Sequence, residues 1–416
     1  MKTDTTVLGV TISLLLLALP AAASDYTLGI FGNANEDETI NMQDVTYTEL
    51  IILEYRDRTD LADAKYDGKI NMQDVTQIEL IILGREKELT LIDTADRTVT
   101  VKKPVERIII VNRNVLETMR SLKATGNIVG VTRAVTTDNI FFPEFSDFPS
   151  IGSGKTPDFE RILELQPDVV FYYGTQWPDR LEEIDGILHD ADPGIAVVAF
   201  DCFKPEWYIE ETRKLGYILD KGEEAAKFID FYEGCKMPIM EIVEGISEED
   251  KPKVCMLRKF YTTYGVGSVE HQMIVAAGGD NVFSDLFSTG AAVDAEEVIE
   301  RDPEFIIWIH RWAGGYLLDV DDTAELEAMK EEVMNRPELQ KVPAVESGNV
   351  YVVTNDVYRG ARDFVGIGYL AKWFYPELFE DLDPKATHQE YLTRFQGLDY
   401  DLGEQGVFVY PQSDES

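Results

Sequence analysis

The sequence predicts an α/β protein: two Rossmann-like lobes joined by one long helix, preceded by a small all-α module of paired loop–helix units. Three observations carry this. Apolar residues at Ala225, Phe228, Ile229, Tyr232, Cys235, Ile239, Ile242 and Val243 keep the spacing of one helical face, so 221–243 reads as a single helix. On both sides of it, short runs of apolar residues alternate with amphipathic helical stretches, the grammar of a parallel sheet covered on both faces. Two internal repeats divide the rest, one near the start of the chain and one straddling the long helix.

At 1.5 Å per residue the long helix spans about 35 Å, enough to cross one small domain and enter the next. A shorter helix at 207–219 leads into it, with the break at 220–222. Pro238 has no amide for the carbonyl of Gly234, which predicts a kink.

The 416 residues give material for two or three domains, each able to bury a core. Asp and Glu number 77 against 38 Lys and Arg, a formal charge of −39. Phosphate binding needs a basic footprint, so nucleic acid and anionic membrane surfaces are excluded as partners. Cys202, Cys235 and Cys255 lie far apart in apolar contexts and read as buried small hydrophobes rather than a disulfide or a metal site.

Residues 1–24 read as a signal peptide: Lys2, an apolar run over 7–19, then Pro20 and small residues up to Ser24. This predicts an exported protein, extracellular or associated with the cell surface. No Cys follows the leader, so a lipid anchor is not expected. The segment 25–88 then contains INMQDVTYTELIIL at 40–53 and INMQDVTQIELIIL at 70–83, which differ at two of fourteen positions. This pair resembles the type I dockerin, a module of two calcium loops that docks exported proteins onto cohesin-type partners. The resemblance implies Ca2+ held by Asn33, Asn35, Asp37, Asn41 and Asp44 in the first loop, and by Asp63, Asp67, Asn71 and Asp74 in the second. Lys65 occupies a ligand position, Asn33 stands for an expected Asp, and Glu38 sits where the loop's sharp turn prefers glycine. Each departure weakens affinity for the cation.

A short linker at 86–90 leads into a first lobe over 89–204. A hairpin up to Val101 comes first, then strands at 108–111, 128–131, 169–173 and 196–200 with helices at 115–122, 159–165 and 178–189. After the helices of 205–249, a second lobe over 250–416 repeats the pattern. Its strands are read at 254–257, 305–309 and 350–353, and its helices at 269–277, 294–301, 324–333, 365–374 and 388–395. TPDFERILELQPDVVFYYG from Thr156 aligns with AVDAEEVIERDPEFIIWIH, which ends at His310. Each copy has an Asp helix start, a Glu in the first turn, a Pro, an acid and an apolar strand. Two like lobes on one rod define a cleft between the C-terminal strand ends, where open α/β sheets bind ligands.

The opening DTADRTVTVKKPVERIIIVN, the LQPDVV turn, YGVGSVEHQMIVAAGGDNVF and DPEFIIWIH, in this order around a long helix, resemble a class III, helical-backbone substrate-binding protein of an ABC importer. The resemblance covers about residues 91–399. It implies two nearly rigid lobes clamping one ligand, no catalysis, and docking onto the importer's membrane subunits. Consistent with that, the chain has no nucleophile elbow, no H-E-x-x-H and no complete phosphate loop. The residues just past strand ends are the ligand candidates: Asn112, Arg113, Tyr173 and Trp177 in the first lobe, and Arg258, Tyr261, His310, Arg311, Trp312, Tyr358 and Arg362 in the second. Guanidinium forks and aromatic faces suit an anionic metal chelate. An iron(III)-siderophore is the expected ligand, with cobalamin or another corrinoid, or haem, as alternatives. The resemblance gives Glu160 and Glu296, matched in the second repeat, the docking role. An exported enzyme or an adhesive protein carrying a dockerin is the competing reading.

Overall fold

The computed structural model describes residues 26–286, 290–310, 315–319, 321–358 and 360–412. The leader read at 1–24, and the candidates Arg311 and Trp312, lie outside the described residues.

In the first unit, helices α1 (Met42–Ile52) and α2 (Met72–Ile82) open on the same capping box, Asn41 with Asp44 and Asn71 with Asp74. The repeat is therefore a repeat of structure. The exposed residues Met42, Gln43, Thr46, Glu49 and Leu53 recur unchanged as Met72, Gln73, Thr76, Glu79 and Leu83. The two differences fall where the halves pack differently: Thr48 and Ile78 are both buried, and the Gln77 amide donates to the carbonyl of Glu88.

The expected linker is not one. Strands β1 (Glu88–Ile92) and β2 (Thr98–Lys102) form an antiparallel hairpin, and Ile30 bridges Leu91 to extend it. Glu86 is buried against Lys103 at 3.1 Å. Leu28, Ile30, Val45, Val75 and Ile78 belong to the same apolar core as Leu89, Leu91 and Val101. The sequence reading placed a boundary here because the repeat ends, but apolar side chains on both sides of that boundary need a common cover.

The first lobe is a four-stranded parallel sheet in the order β4 (Ile128–Val131), β3 (Ile108–Ile110), β5 (Val169–Tyr172), β6 (Ala196–Ala199). Its helices are α3 (Arg113–Ser121), the short α4 (Arg133–Thr136), α5 (Phe159–Glu164) and α6 (Pro178–Ala191). Then come α7 (Pro205–Ile218) and the long α8 (Gly222–Glu244), which runs unbroken through Pro238. The first unit lies along α7. The Tyr217 hydroxyl accepts the amide of Ile40 at 2.9 Å, Glu210 accepts that of Gly29 at 3.1 Å, and Arg213 donates to Tyr26.

The second lobe centres on three parallel strands, β7 (Lys253–Arg258), β11 (Phe305–His310) and β13 (Val350–Thr354). Short strands β8 (Thr262–Thr263), β9 (Asp280–Asn281) and β10 (Ala291–Ala292) extend it on the β7 side, with β9 parallel to β7, β8 antiparallel to β7 and β10 antiparallel to β8. The remaining strands are β12 (Gly315–Asp319), β14 (Gln405–Val407) and β15 (Val409–Tyr410); β12 pairs with β14 and β15 closes the other edge against β13. Helices α9 (Val269–Ala276), α10 (Ala295–Arg301), α11 (Ala324–Met334), α12 (Pro343–Glu346), α13 (Asp363–Phe374) and α14 (Pro384–Glu390) cover it. These antiparallel edges have no counterpart in the sequence reading, since two- and three-residue strands carry no periodicity.

The second repeat is also structural. Asp158 and Asp294 cap α5 and α10, each accepting the backbone amide three residues on. The acid after each Pro then ties the next strand to the start of its neighbour. Asp168 accepts the amide of Arg107, Glu304 that of Lys253, and each returns its own amide to the same residue's carbonyl.

Helix α8 is wedged between the lobes. The Phe228 ring lies 6.2 Å from Tyr208 on α7 and 5.2 Å from Phe395 of the second lobe. Further on, Tyr232 and Lys236 both donate to Asp363 on α13 at 2.9 and 2.8 Å. Where α8 meets α9, a Cβ on Gly278 would lie 2.8 Å from Val243, and its φ of +83° is open to glycine at no steric cost.

Candidate functional site

Between the lobes lies an open hollow of about 210 Å³, lined by Arg113, Asn114, Tyr173, Gln176 and Phe203 from the first and by Asn355, Asp356 and Arg362 from the second. The strand-end rule is what puts them there. Arg113 follows β3, Tyr173 and Gln176 follow β5, Phe203 follows β6, and Asn355 and Asp356 follow β13.

Arg113 pairs with Asp138 at 2.9 Å and stands 5.3 Å over the Phe142 ring. Beside it, burial pushes the Tyr173 hydroxyl up, and Arg113 pulls it back. The Tyr173 ring meets Trp177 edge-on at 4.8 Å. Gly154 makes room for the pair, since a Cβ there would come within 3.3 Å of both rings. Trp177 therefore braces Tyr173 from behind instead of lining the hollow.

Across the hollow, the Arg362 side chain is only 8% exposed, and its principal partner is Glu117 of α3 in the other lobe. Arg362 Nε lies 2.9 Å from Glu117 Oε1 as an ion pair without hydrogen-bond geometry, and a terminal nitrogen donates to Oε2 at 3.2 Å. Burial opposes the guanidinium's charge, but Glu117, Tyr316 and Asp356 hold its pKa above the usual value. Tyr391 donates to Glu117 at 2.7 Å, and Gln396 joins Glu117, Ser121 and Arg120. A buried polar network thus fixes the lobes to each other at the floor of the hollow. Asp356 sits beside it, 3.6 Å from Arg362, and burial raises its carboxyl pKa against the pull of Arg362 and Arg113.

The other sequence candidates go elsewhere. Asn112 is fully buried as the cap of α3. Its amide donates to the carbonyls of Phe200 and Asp201, and its oxygen accepts from Asn114, so nothing is left for a ligand. Arg258 turns to the Tyr264 ring at 6.0 Å. Tyr261 donates to Glu338 and lies under Arg336, on the flank of the lobe. His310 Nε2 faces Glu325 at 3.3 Å. Tyr358 is wholly buried in the core. Each sits at or just past a strand end, but a strand end has two faces, and the sequence does not say which one looks into the cleft. Gln176, Phe203, Asn355 and Asp356 were missed, although the same rule points to them; aromatic and basic residues nearby drew the choice away.

Glu160 and Glu296 are both exposed in the first turns of α5 and α10, and neither has a basic ion-pair partner among the described residues.

In the paired loops, Asp44 accepts the amides of Asn35 and Asn41, and Asp74 those of Lys65 and Asn71. Burial pushes Asp44 up to about 6, and it also raises Asp74, with Asp63 and Asp67 adding to the effect. No three His, Cys, Asp or Glu converge to hold a metal by themselves among the described residues. A cation here would need amide, carbonyl or water oxygens as well. One such oxygen stands ready, because Asn33 Oδ1 is buried without a hydrogen-bond partner. Lys65 is exposed and gives the loop only its backbone.

A family model described as periplasmic binding protein matches residues 108–357, more than half of the chain. The chain belongs to the periplasmic binding protein family. Among curated relatives, this periplasmic binding protein is 23% identical over 345 residues to the molybdate-binding protein MolA of Haemophilus influenzae, across 74% of this chain and 91% of that one. It is 21% identical over 283 residues to an uncharacterized lipoprotein of Methanocaldococcus jannaschii, with 64% of this chain and 63% of the relative covered. To the vitamin B12-binding protein of Salmonella paratyphi A it is 25% identical over 174 residues, 40% of this chain and 60% of that one. The match thus spans less than two thirds of the length of these last two. Among solved structures, the TroA-like periplasmic binding protein FepB of Veillonella parvula superposes with a TM-score of 0.66 at 25% identity, covering 77% of this chain and 98% of that one. Helicobacter pylori CeuE superposes with a TM-score of 0.57 at 19% identity, over 75% and 96%, which speaks to the fold alone.

Proposed function

We propose that this chain is the extracytoplasmic substrate-binding receptor of an ABC importer and that it captures an iron(III)-siderophore-type chelate between its lobes. It carries out no chemistry on the ligand. The observation that supports this most is the interlobe hollow itself, which Arg113, Tyr173 and Phe203 line from the first lobe and Arg362 from the second. The hollow is open, so a chelate larger than its volume seats one face in it. A ligand that binds only the folded state stabilises it by about 2.7 kcal/mol at 100 times Kd. A thermal-shift panel of ferric siderophores, cobalamin, haem and molybdate tests the reading. A shift with a ferric chelate supports it, a shift with cobalamin alone would favour the corrinoid alternative that the Salmonella relative brings in, and no shift with any of them sinks the receptor role.

The loaded receptor docks on the two membrane subunits through Glu160 and Glu296. Their support is the repeat, which sets one exposed carboxylate at the same place in each lobe. Glu160→Ala with Glu296→Ala should abolish uptake and leave ligand affinity unchanged; normal uptake by the folded double variant rules the role out. The paired loops are read as a dockerin-like module holding calcium and meeting a cohesin-type partner. Buried Asn33 Oδ1 supports the first point, and the duplicated exposed face of Met42, Leu53, Met72 and Leu83 the second. A calcium titration followed by calorimetry, with no heat from the wild type, would remove the cation.

A further inference from the structure

We infer that Asp356 selects the charge of the cargo, so that the cleft takes a neutral or cationic ferric chelate, of the tris-hydroxamate class, in preference to an anionic tris-catecholate. This deepens the receptor reading and rests on it. The arginines at the hollow invite the opposite expectation, but the described ones are already answered by carboxylates. Asp138 neutralises Arg113 at 2.9 Å, and Glu117 takes Arg362 with contacts at 2.9 and 3.2 Å. Asp356 is different. Its only ion contact among the described residues is the already engaged Arg362, at 3.6 Å, and a third of its side chain is exposed into the hollow.

The backbone is shaped to hold that carboxylate where it is. Gly315 has a φ of +61°, and a Cβ there would fall 1.8 Å from Asp356 Oδ2. Any other residue at 315 would evict the acid. The neighbouring polar side chains of Gln176 and Asn355 are neutral, so they add hydrogen bonding without adding positive charge. A chelate bearing an ammonium or amide N–H donors meets an acceptor in Asp356, whereas a trianion meets a like charge in a site of reduced dielectric.

The test is calorimetry on the full chain with ferrioxamine B, which carries an ammonium, ferrichrome, which is neutral, and ferric enterobactin, a trianion. The expected order is ferrioxamine B, ferrichrome, then enterobactin, with about tenfold or more between the first and the last. Asp356→Asn should weaken ferrioxamine B about tenfold, change ferrichrome by less than about twofold, and narrow the gap to enterobactin. Asp356→Glu should restore the order. The wild-type order is measured without any variant, so a variant that fails to fold does not shield the inference. Enterobactin binding tighter than both hydroxamates overturns it and leaves the receptor reading standing, as does an Asp356→Asn protein that binds all three as the wild type does. Binding of none of the three removes the siderophore reading, and this inference with it, and the cobalamin, haem and molybdate arms of the thermal-shift panel then decide the receptor role.

Discussion

Glu117→Gln should be among the most destabilising single changes in the molecule. The Glu117 carboxylate is 3% exposed and the Arg362 guanidinium 8% exposed, and the two belong to different lobes. The amide would still accept from Tyr391, so that 2.7 Å bond survives. Arg362, however, would remain buried with Asp356 at 3.6 Å as its only carboxylate among the described residues, beside the Tyr316 hydroxyl at 3.3 Å. Stranding one member of a buried pair costs about 3–5 kcal/mol. In urea this lowers the midpoint by about 1 M or more, for a slope of a few kcal/mol per molar. Arg362→Met alone should cost a similar amount, because it strands the acid. The double variant should be far milder than the sum, since replacing both partners removes the desolvated charge altogether. Singles costing under about 1 kcal/mol, or a double variant equal to their sum, would refute the view that this pair locks the lobes.

Three further outcomes follow from the packing. Burial lifts Glu211 to about 7 from an ordinary 4.5, so its contribution is fully present below pH 4.5 and is lost as pH rises toward 7, about 3 kcal/mol in all; Glu211→Gln should flatten that part of the stability–pH curve, and an unchanged slope in urea melts between pH 4.5 and 7.5 argues against it. Gly278→Ala should cost about 1–3 kcal/mol by forcing a side chain into the left-handed region and against Val243, read as a lower thermal midpoint. Deleting 29–85 uncovers Leu89, Leu91 and Tyr217 and removes the bridge from Ile30 to Leu91; near-UV circular dichroism should show a lobe without fixed packing, whereas a native spectrum would restore the idea of a tethered module.

The architecture was largely legible in the residues. Long periodic segments such as α8, and apolar runs such as 169–172, have one stable reading each, and the structure places them within a residue or two. The repeat around Asp158 and Asp294 was also readable, because capping and strand-tying acids must recur wherever the same unit recurs. What was not legible depends on contacts distant in sequence. Nothing local distinguishes Tyr358, buried in the core, from Asp356 two residues earlier, which lines the hollow. Arg362 lines the hollow, yet its partner Glu117 lies 245 residues away on α3. The expected linker failed for the same reason: Glu86 looks like a surface acid until Lys103 is seen above it.

The seating of the N-terminal unit on α7 also sets an order of assembly. The amides of Ile40 and Gly29 reach their acceptors 177 and 181 residues later. As the chain emerges, the two loop–helix repeats are complete long before the surface that covers their apolar side. Closing so long a loop carries an entropy cost that grows with the logarithm of its length, and pairings of this range slow folding. For that interval the amides of Ile40 and Gly29 lack the acceptors they find in the finished fold. The earliest-made part of this protein is therefore among the last to be finished, and α7 is where its completion is registered.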